Sequence, residues 1–371
     1  MDTMEAETTS IHELLGRHWM VGAPVEHLAF DAAGKVVAFA LADGAVAIAP
    51  LADVEPPQDR CRKAVDGGRT MISPRRQPVP PVMKVVISDA PLHLASLGTT
   101  GFIASDRGRL LCVSASGVTR IVANNEAQID LVTPVPAGGI LAAAGGMIIS
   151  YDPRGDVAWL QQRAGSSASA LAVSPDSQRF ALGVDDRLLI RAFGPRPEPS
   201  ASFELGSIAA ISWSPDGNWI AVSMVQGGVA LVHLADSRIV RVPGYPATVS
   251  SLSWSVDSRF LVTSGAYRIV GWDVSTLVGD NERPASLASG RAGLVLAETV
   301  DMHPERSLVA AGYSNGMVVV ARIGERDELV VKPAGGGAVT ILRWSRDGQH
   351  LAFGTNDGEA AIVTLPSQIF K

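Results

Sequence analysis

The run Ile208-Ala-Ala-Ile-Ser-Trp213, Ser214-Pro-Asp-Gly217, Trp219-Ile-Ala-Val-Ser223, Gln226-Gly-Gly228, Val229-Ala-Leu-Val232 decides the fold. Its apolar stretches alternate with a period of two, which builds half-buried strands and not helices. Pro-Asp-Gly and Gly-Gly between them supply the tight reversals that antiparallel neighbours need. The same phrase returns as Ser250-Ser-Leu-Ser-Trp254, Ser255-Val-Asp-Ser258, Phe260-Leu-Val-Thr263, Ile269-Val-Gly-Trp272-Asp273. It returns again as Ile341-Leu-Arg-Trp344, Ser345-Arg-Asp-Gly348, His350-Leu-Ala-Phe353, Asn356-Asp-Gly358, Ala361-Ile-Val363.

Taking the residue that closes the first strand of each phrase as a marker gives Phe30, Ser96, Val135, Val173, Trp213, Trp254, Met302 and Trp344. The intervals are 66, 39, 38, 40, 41, 48 and 42 residues. A unit of this size cannot bury both faces of its own sheet, whereas radial stacking buries them against neighbours. The expectation is an all-β chain, a β-propeller of four-stranded antiparallel blades. Eight markers favour eight blades, with seven the alternative if one weak early unit is an embellishment. The last unit ends after its third strand at Leu365, so its fourth strand must come from the N-terminus, closing the ring and removing free edges. The chain reads as one domain over residues 1–371. The closing strand is placed at about residues 11–21, the blades at about 22–366, and an insertion at about 53–81. Only Met4 to Arg17 hints at a helical period.

These units resemble WD40 repeats. Trp272-Asp273 ends a third strand, Tyr151-Asp152 holds the corresponding place in another unit, and Ser-Pro-Asp-Gly-type turns begin at Ser174, Ser214, Ser255 and Ser345. The likeness runs from about Val25 to Leu365. It departs in one respect: the Gly-His dipeptide that usually precedes the first strand is absent, so the usual Asp-His-Ser-Trp network is not expected. The resemblance implies a non-catalytic scaffold or adaptor for protein–protein interaction. The alternative it leaves open is a metal-binding or enzymatic propeller, a companion of a metal-handling protein.

Composition agrees with many turns and a large core: of 371 residues 47% are hydrophobic, 37 are Gly and 23 are Pro. It excludes a collagen, a disordered chain and a disulfide scaffold. Cys61 and Cys112 stand outside any metal or redox spacing. The N-terminus is acidic and polar, unlike a signal peptide, and the longest apolar stretches, such as Gly138 to Ile149, are too short to span a membrane. A cytoplasmic location is expected, with no membrane partner.

Between Arg60 and Lys84 seven bases face one acid, Asp66; that window is +6 within a chain of −6, leaving −12 elsewhere. Most of the window lies in the Pro-rich insertion, between the third and fourth strands of the first blade. Arg60, Arg62, Lys63, Arg69, Arg75 and Arg76 are therefore candidates for docking an acidic protein. Nucleic acid is disfavoured, because the loop has no aromatic residue for base stacking and the body would repel a polyanion. The turns between second and third strands supply the other candidates: Asp43-Gly44, Asp106-Arg107, Asp185-Asp186-Arg187, Tyr267-Arg268, Asn315-Gly316 and Asn356-Asp357. From these Asp186, Arg187, Tyr267, Arg268, Asn315, Asn356 and Asp357 are taken as partner-binding residues.

The chain shows no G-x-S-x-G, Walker, H-E-x-x-H or EF-hand signature, and no catalytic residue is assigned. Asp176, Asp216, Asp257 and Asp347 sit in tight turns and read as turn acceptors. Trp213, Trp254 and Trp344 share one strand end and read as packing between blades. His12, His18, His27 and His93, with both cysteines, crowd into the first third of the chain. No tetrahedral ligand set follows from their spacing, so no metal or cofactor is assigned.

Overall fold

A computed structural model describes residues 9–63, 70–89, 92–97, 101–106, 108–114, 116–117, 119–124, 128–162, 168–195, 199–279 and 281–366. It contains eight four-stranded antiparallel sheets, the eight blades, and one two-stranded hairpin. The blades begin at Val25–Phe30, His93–Leu97, Ile129–Pro134, Ala170–Val173, Ile208–Trp213, Leu252–Trp254, Ala297–Met302 and Val339–Trp344. These first strands touch their neighbours all the way round, the last against the first included, so they line the axis. Each predicted marker falls at a first-strand end; Ser96 is one residue inside it and Val135 one residue beyond.

The last blade takes its fourth strand from the N-terminus. Gly16–Met20 pairs antiparallel with Glu359–Thr364, from Gly16 opposite Val363 to Met20 opposite Glu359. The closing strand is shorter than expected, because Ile11–Leu15 is helical. Ser10 and Glu13 explain this: each side chain accepts the other's backbone N–H, a capping box that starts a helix within the stretch, Met4 to Arg17, whose sequence hinted at a helical period.

Eight clusters of buried apolar side chains fill the eight seams between blades. Trp213 packs with Ala181, Ile190 and Phe203 of the preceding blade, and Trp254 with Leu231 and Val240 of its own predecessor. Their indole N–H groups donate across the seam to Ala172 O (3.2 Å) and Ser212 O (3.3 Å). The four Ser-x-Asp turns share one hydrogen-bond pattern. Each serine Oγ donates to the aspartate two residues on, at 2.5–2.6 Å, and accepts the N–H five residues on. The aspartates are turn acceptors, as their sequence position indicated.

The insertion leaves the first blade after Ala45–Pro50 and rejoins it at Met83–Val86. It holds one helical turn, Pro57–Arg60, and the hairpin Cys61–Lys63 with Thr70–Ile72.

Candidate partner-binding surface

Strand order assigns the connections to two faces. Turns from first to second strand, and loops from third to fourth, share the bottom face with the insertion. Turns from second to third strand, and links to the next blade, form the top face. On top, the loops of blades 5 to 7 are tied to one another. Thr248 Oγ1 donates to Val225 O (3.0 Å), Ala247 N to Gly265 O (3.3 Å), Ala297 N to Ala266 O (2.9 Å), and Gly293 N to Tyr267 O (3.3 Å). This braced sector exposes Val225 (52%), Tyr267 (49%) and Leu294 (93%). Neither Val225 nor Leu294 was picked out from the sequence; Leu294 is followed directly by Val295, Leu296 and Ala297, so nothing in the sequence marks it as exposed.

The other predicted top-face residues spread around the ring in two groups. Asp186 and Arg187 sit at the top of blade 4, where Asp186 accepts from Ser207 Oγ (2.6 Å) and Arg187 pairs with Glu204. Asn315, Asn356 and Asp357 stand together across blades 7 and 8. Gly335 N donates to Asn315 O (2.9 Å) and Gly337 N to Asp357 Oδ2 (2.8 Å). Arg268 is half-buried and donates to Gly290 O (3.1 Å), so it supports the Tyr267 loop from below.

The insertion is not a free basic arm. Arg60 is buried and donates to Glu55 O (3.2 Å) and Ser73 O (2.9 Å). Arg75 makes a two-point pair with buried Asp53 at 2.8 and 2.6 Å, and Arg17 of the closing strand lies 3.7 Å from the same carboxylate. Burial pushes Asp53 up, but the Arg75 hydrogen bonds hold its carboxyl below the ordinary range. Arg60 and Arg75 are thus corrected from docking residues to internal struts. The +6 window began at Arg60 and so left out Asp53, Glu55 and Asp59, the acids that fold back on it. Arg62 and Arg76 are exposed. Lys63 ends a hairpin strand, and Arg69 lies outside the described residues.

No enzyme-like constellation emerges among the described residues. Burial pushes the Asp301 carboxyl up, and the Arg343 charge opposes the shift. Both of its oxygens are engaged, by Ser253 Oγ (3.0 Å) and Trp344 N (2.8 Å), which ties together the first strands of three blades. His27 and His93 face each other near the axis, with ring centroids 5.4 Å apart. Burial, reinforced by the His93 and Arg343 charges, pushes His27 down to about 4. His12 and His18 meet a residue that sequence separation hid, Glu359.

The absent Gly-His dipeptide has a replacement. Gly244-Tyr245 precedes the first strand of blade 6, and the Tyr245 hydroxyl bonds Thr263 Oγ1 (2.7 Å) and accepts Trp272 Nε1–H (2.7 Å). Although the usual network was not expected, a side-chain network linking Tyr245, Thr263 and Trp272 therefore forms in that blade, with Tyr in place of His.

Eight four-stranded blades, Ser-x-Asp turns, inter-blade tryptophans and a ring closed by its own N-terminal strand define a WD40-repeat β-propeller. The family model that matches is that of the Anaphase-promoting complex subunit 4 WD40 domain, over residues 199–257 and 300–368. Serine-threonine kinase receptor-associated protein of Dictyostelium discoideum is 30% identical over 112 residues, 30% of this chain and 36% of that protein. Human Echinoderm microtubule-associated protein-like 1 is 31% identical over 71 residues, 18% of this chain and 9% of that protein. The chain therefore aligns to well under half the length of these relatives. Among solved structures, a chain of the crystal structure of the Mitotic Checkpoint Complex superposes with a TM-score of 0.59 and 13% identity. It covers 74% of this chain and 86% of that one, a likeness of fold. WD40 propellers are in general non-catalytic scaffolds. No helix among the described residues is long and apolar enough to cross a membrane.

Proposed function

We propose that this propeller is a cytoplasmic, non-catalytic scaffold or adaptor that binds a protein partner through the top sector of blades 5 to 7. The observation that carries the reading is Leu294, 93% exposed on loops braced by inter-blade hydrogen bonds, with Tyr267 beside it. A large apolar side chain held out on a rigid platform is what an interface anchor requires. Asp186, Arg187, Asn315, Asn356 and Asp357 supply polar contacts elsewhere on the same face. On the bottom face, Arg62 and Arg76 add a separate contact for an acidic segment, with Lys63 and Arg69 beside them in the chain. The names of the Dictyostelium relative and of the checkpoint structure, both describing association with other proteins, support this class of role.

The test is quantitative capture of the same partner by wild type, by Leu294→Asp/Tyr267→Ala and by Arg62→Glu/Arg76→Glu. The first double variant should lose at least tenfold in affinity, and the second should lose less and only at low salt. Equal capture by all three would overturn the assignment. The Arg62/Arg76 variant is preferred to deleting the insertion, because deletion would also remove the Arg75–Asp53 strut.

A further inference from the structure

We propose that His12, His18 and Glu359 form a transition-metal site, suited to Zn2+, that joins the two ends of the ring. The three residues come from different elements. His12 lies on the short helix Ile11–Leu15, His18 lies in the closing strand opposite Ala361, and Glu359 opens the partner strand opposite Met20. One ligand atom from each lies within 4.8 Å of the other two. His12 Nε2 is 2.9 Å from Glu359 Oε1, and the His12 and His18 ring centroids are 4.8 Å apart.

The donor set selects the ion. Two imidazoles and one carboxylate match Zn2+ at about 2.0–2.2 Å, whereas Ca2+ and Mg2+ prefer all-oxygen shells. Bonds of that length in tetrahedral geometry set neighbouring donor atoms about 3.3 Å apart. The His12–Glu359 pair need open by only a few tenths of an ångström, and the exposed His18 swings in from the solvent side. Three protein ligands leave one position for water. His12 and Glu359 are both buried, so the ion would replace the proton they share. His12 Nδ1 is itself buried with no hydrogen-bond partner among the described residues, so surrounding protein groups do not satisfy this ring fully.

One neighbour opposes the metal. Lys332 Nζ is 3.7 Å from Glu359 Oε2, held there by Gly316 O (3.1 Å) and Gly335 O (2.6 Å). Its charge repels a dication, so removing it should tighten binding. A purely structural His–Glu pair would show the opposite signature, no gain from Lys332→Met.

The experiment uses full-length protein stripped with a chelator, then titrated with Zn2+ against a chromophoric competitor and, separately, with Co2+. Expected are one ion per chain, a visible tetrahedral Co2+ spectrum, and a rise in thermal midpoint that excess chelator reverses. His18→Ala, at an exposed position that leaves the fold intact, should weaken Zn2+ at least tenfold. Lys332→Met should strengthen it, and His233→Ala, at a partly exposed His–Asp pair elsewhere, should change nothing. Absence of the Co2+ bands, or Zn2+ affinity unaltered by His18→Ala, would overturn the proposal. His12→Ala serves as a second check if it folds.

Discussion

The indole of Trp272 shows how far single residues carry this fold. Its N–H reaches Tyr245, and Tyr245 reaches Thr263, a chain of three polar groups inside blade 6. Burial pushes the Tyr245 hydroxyl up to about 12, so it stays a neutral donor and acceptor at any physiological pH. Tyr245→Phe leaves Trp272 and Thr263 without their shared partner, and should cost about 1–3 kcal/mol in urea unfolding. Glycine works by absence at another point. A Cβ on Gly354 would overlap Val25 of the next blade, and Gly312 meets Val339 in the same way one seam earlier. Gly354→Ala should therefore destabilise by overpacking, about 1–3 kcal/mol, visible as a lower urea midpoint. His27 has a pH consequence. Its folded value of about 4 lies below the ordinary value of 6.5, so the unfolded chain takes up the proton first. Stability from this residue is complete above pH 6.5 and is lost as pH falls toward 4, on the order of 3 kcal/mol in all. His27→Gln should flatten the pH dependence of unfolding in that window. Tyr245 and Gly354 were in plain view in the sequence, yet their roles were not legible. A search for Gly-His passes over Gly-Tyr, and no pattern within one blade shows which glycine faces the next.

At the scale of elements, strand alternation and turn chemistry were fully readable, because both are local. Every first strand was placed to within a residue by its marker, and the Ser-x-Asp turns by their turn residues. The insertion was readable as an interruption but not as a structure, since its charges find partners over intervals that no periodicity marks. Arg75 meets Asp53 across 22 positions, and Trp19 Nε1–H reaches Pro80 O (2.7 Å) across 61. The insertion also leans on its neighbours through Ile72, which packs against the core cluster of blades 7 and 8 that includes Leu15. Asp53→Asn removes the anion between Arg17 and Arg75, both largely buried. Breaking a buried pair from one side costs about 3–5 kcal/mol. Thermal unfolding should show that loss, and limited proteolysis should find the insertion cut first. The candidate interface was legible at Tyr267, a turn residue, and hidden at Leu294, whose exposure depends on how three blades set their loops.

The whole molecule depends on one joint. Blade 8 is assembled from both ends of the chain, and blades 7 and 1 rest on it through the seam clusters. Deleting the first 22 residues uncovers a complete strand edge on Glu359–Thr364 and removes Arg17 from beneath the insertion. Such a chain should lose cooperative unfolding and self-associate, which sedimentation and a broadened thermal transition would register. The same residues give the joint a temporal side. During synthesis the closing strand emerges first, and its partner follows about 340 residues later; at about 5–20 residues per second that is a delay of roughly 20–70 s. Arg17, however, donates to Leu51 O (2.9 Å) and Ala52 O (3.1 Å), and Trp19 to Pro80 O, all made within the first hundred residues. The insertion of blade 1 is therefore positioned to hold the leading segment for a partner not yet translated. Ribosome-arrested chains ending within blade 5 should protect Gly16–Met20 from protease, and Arg17→Ala should abolish that protection.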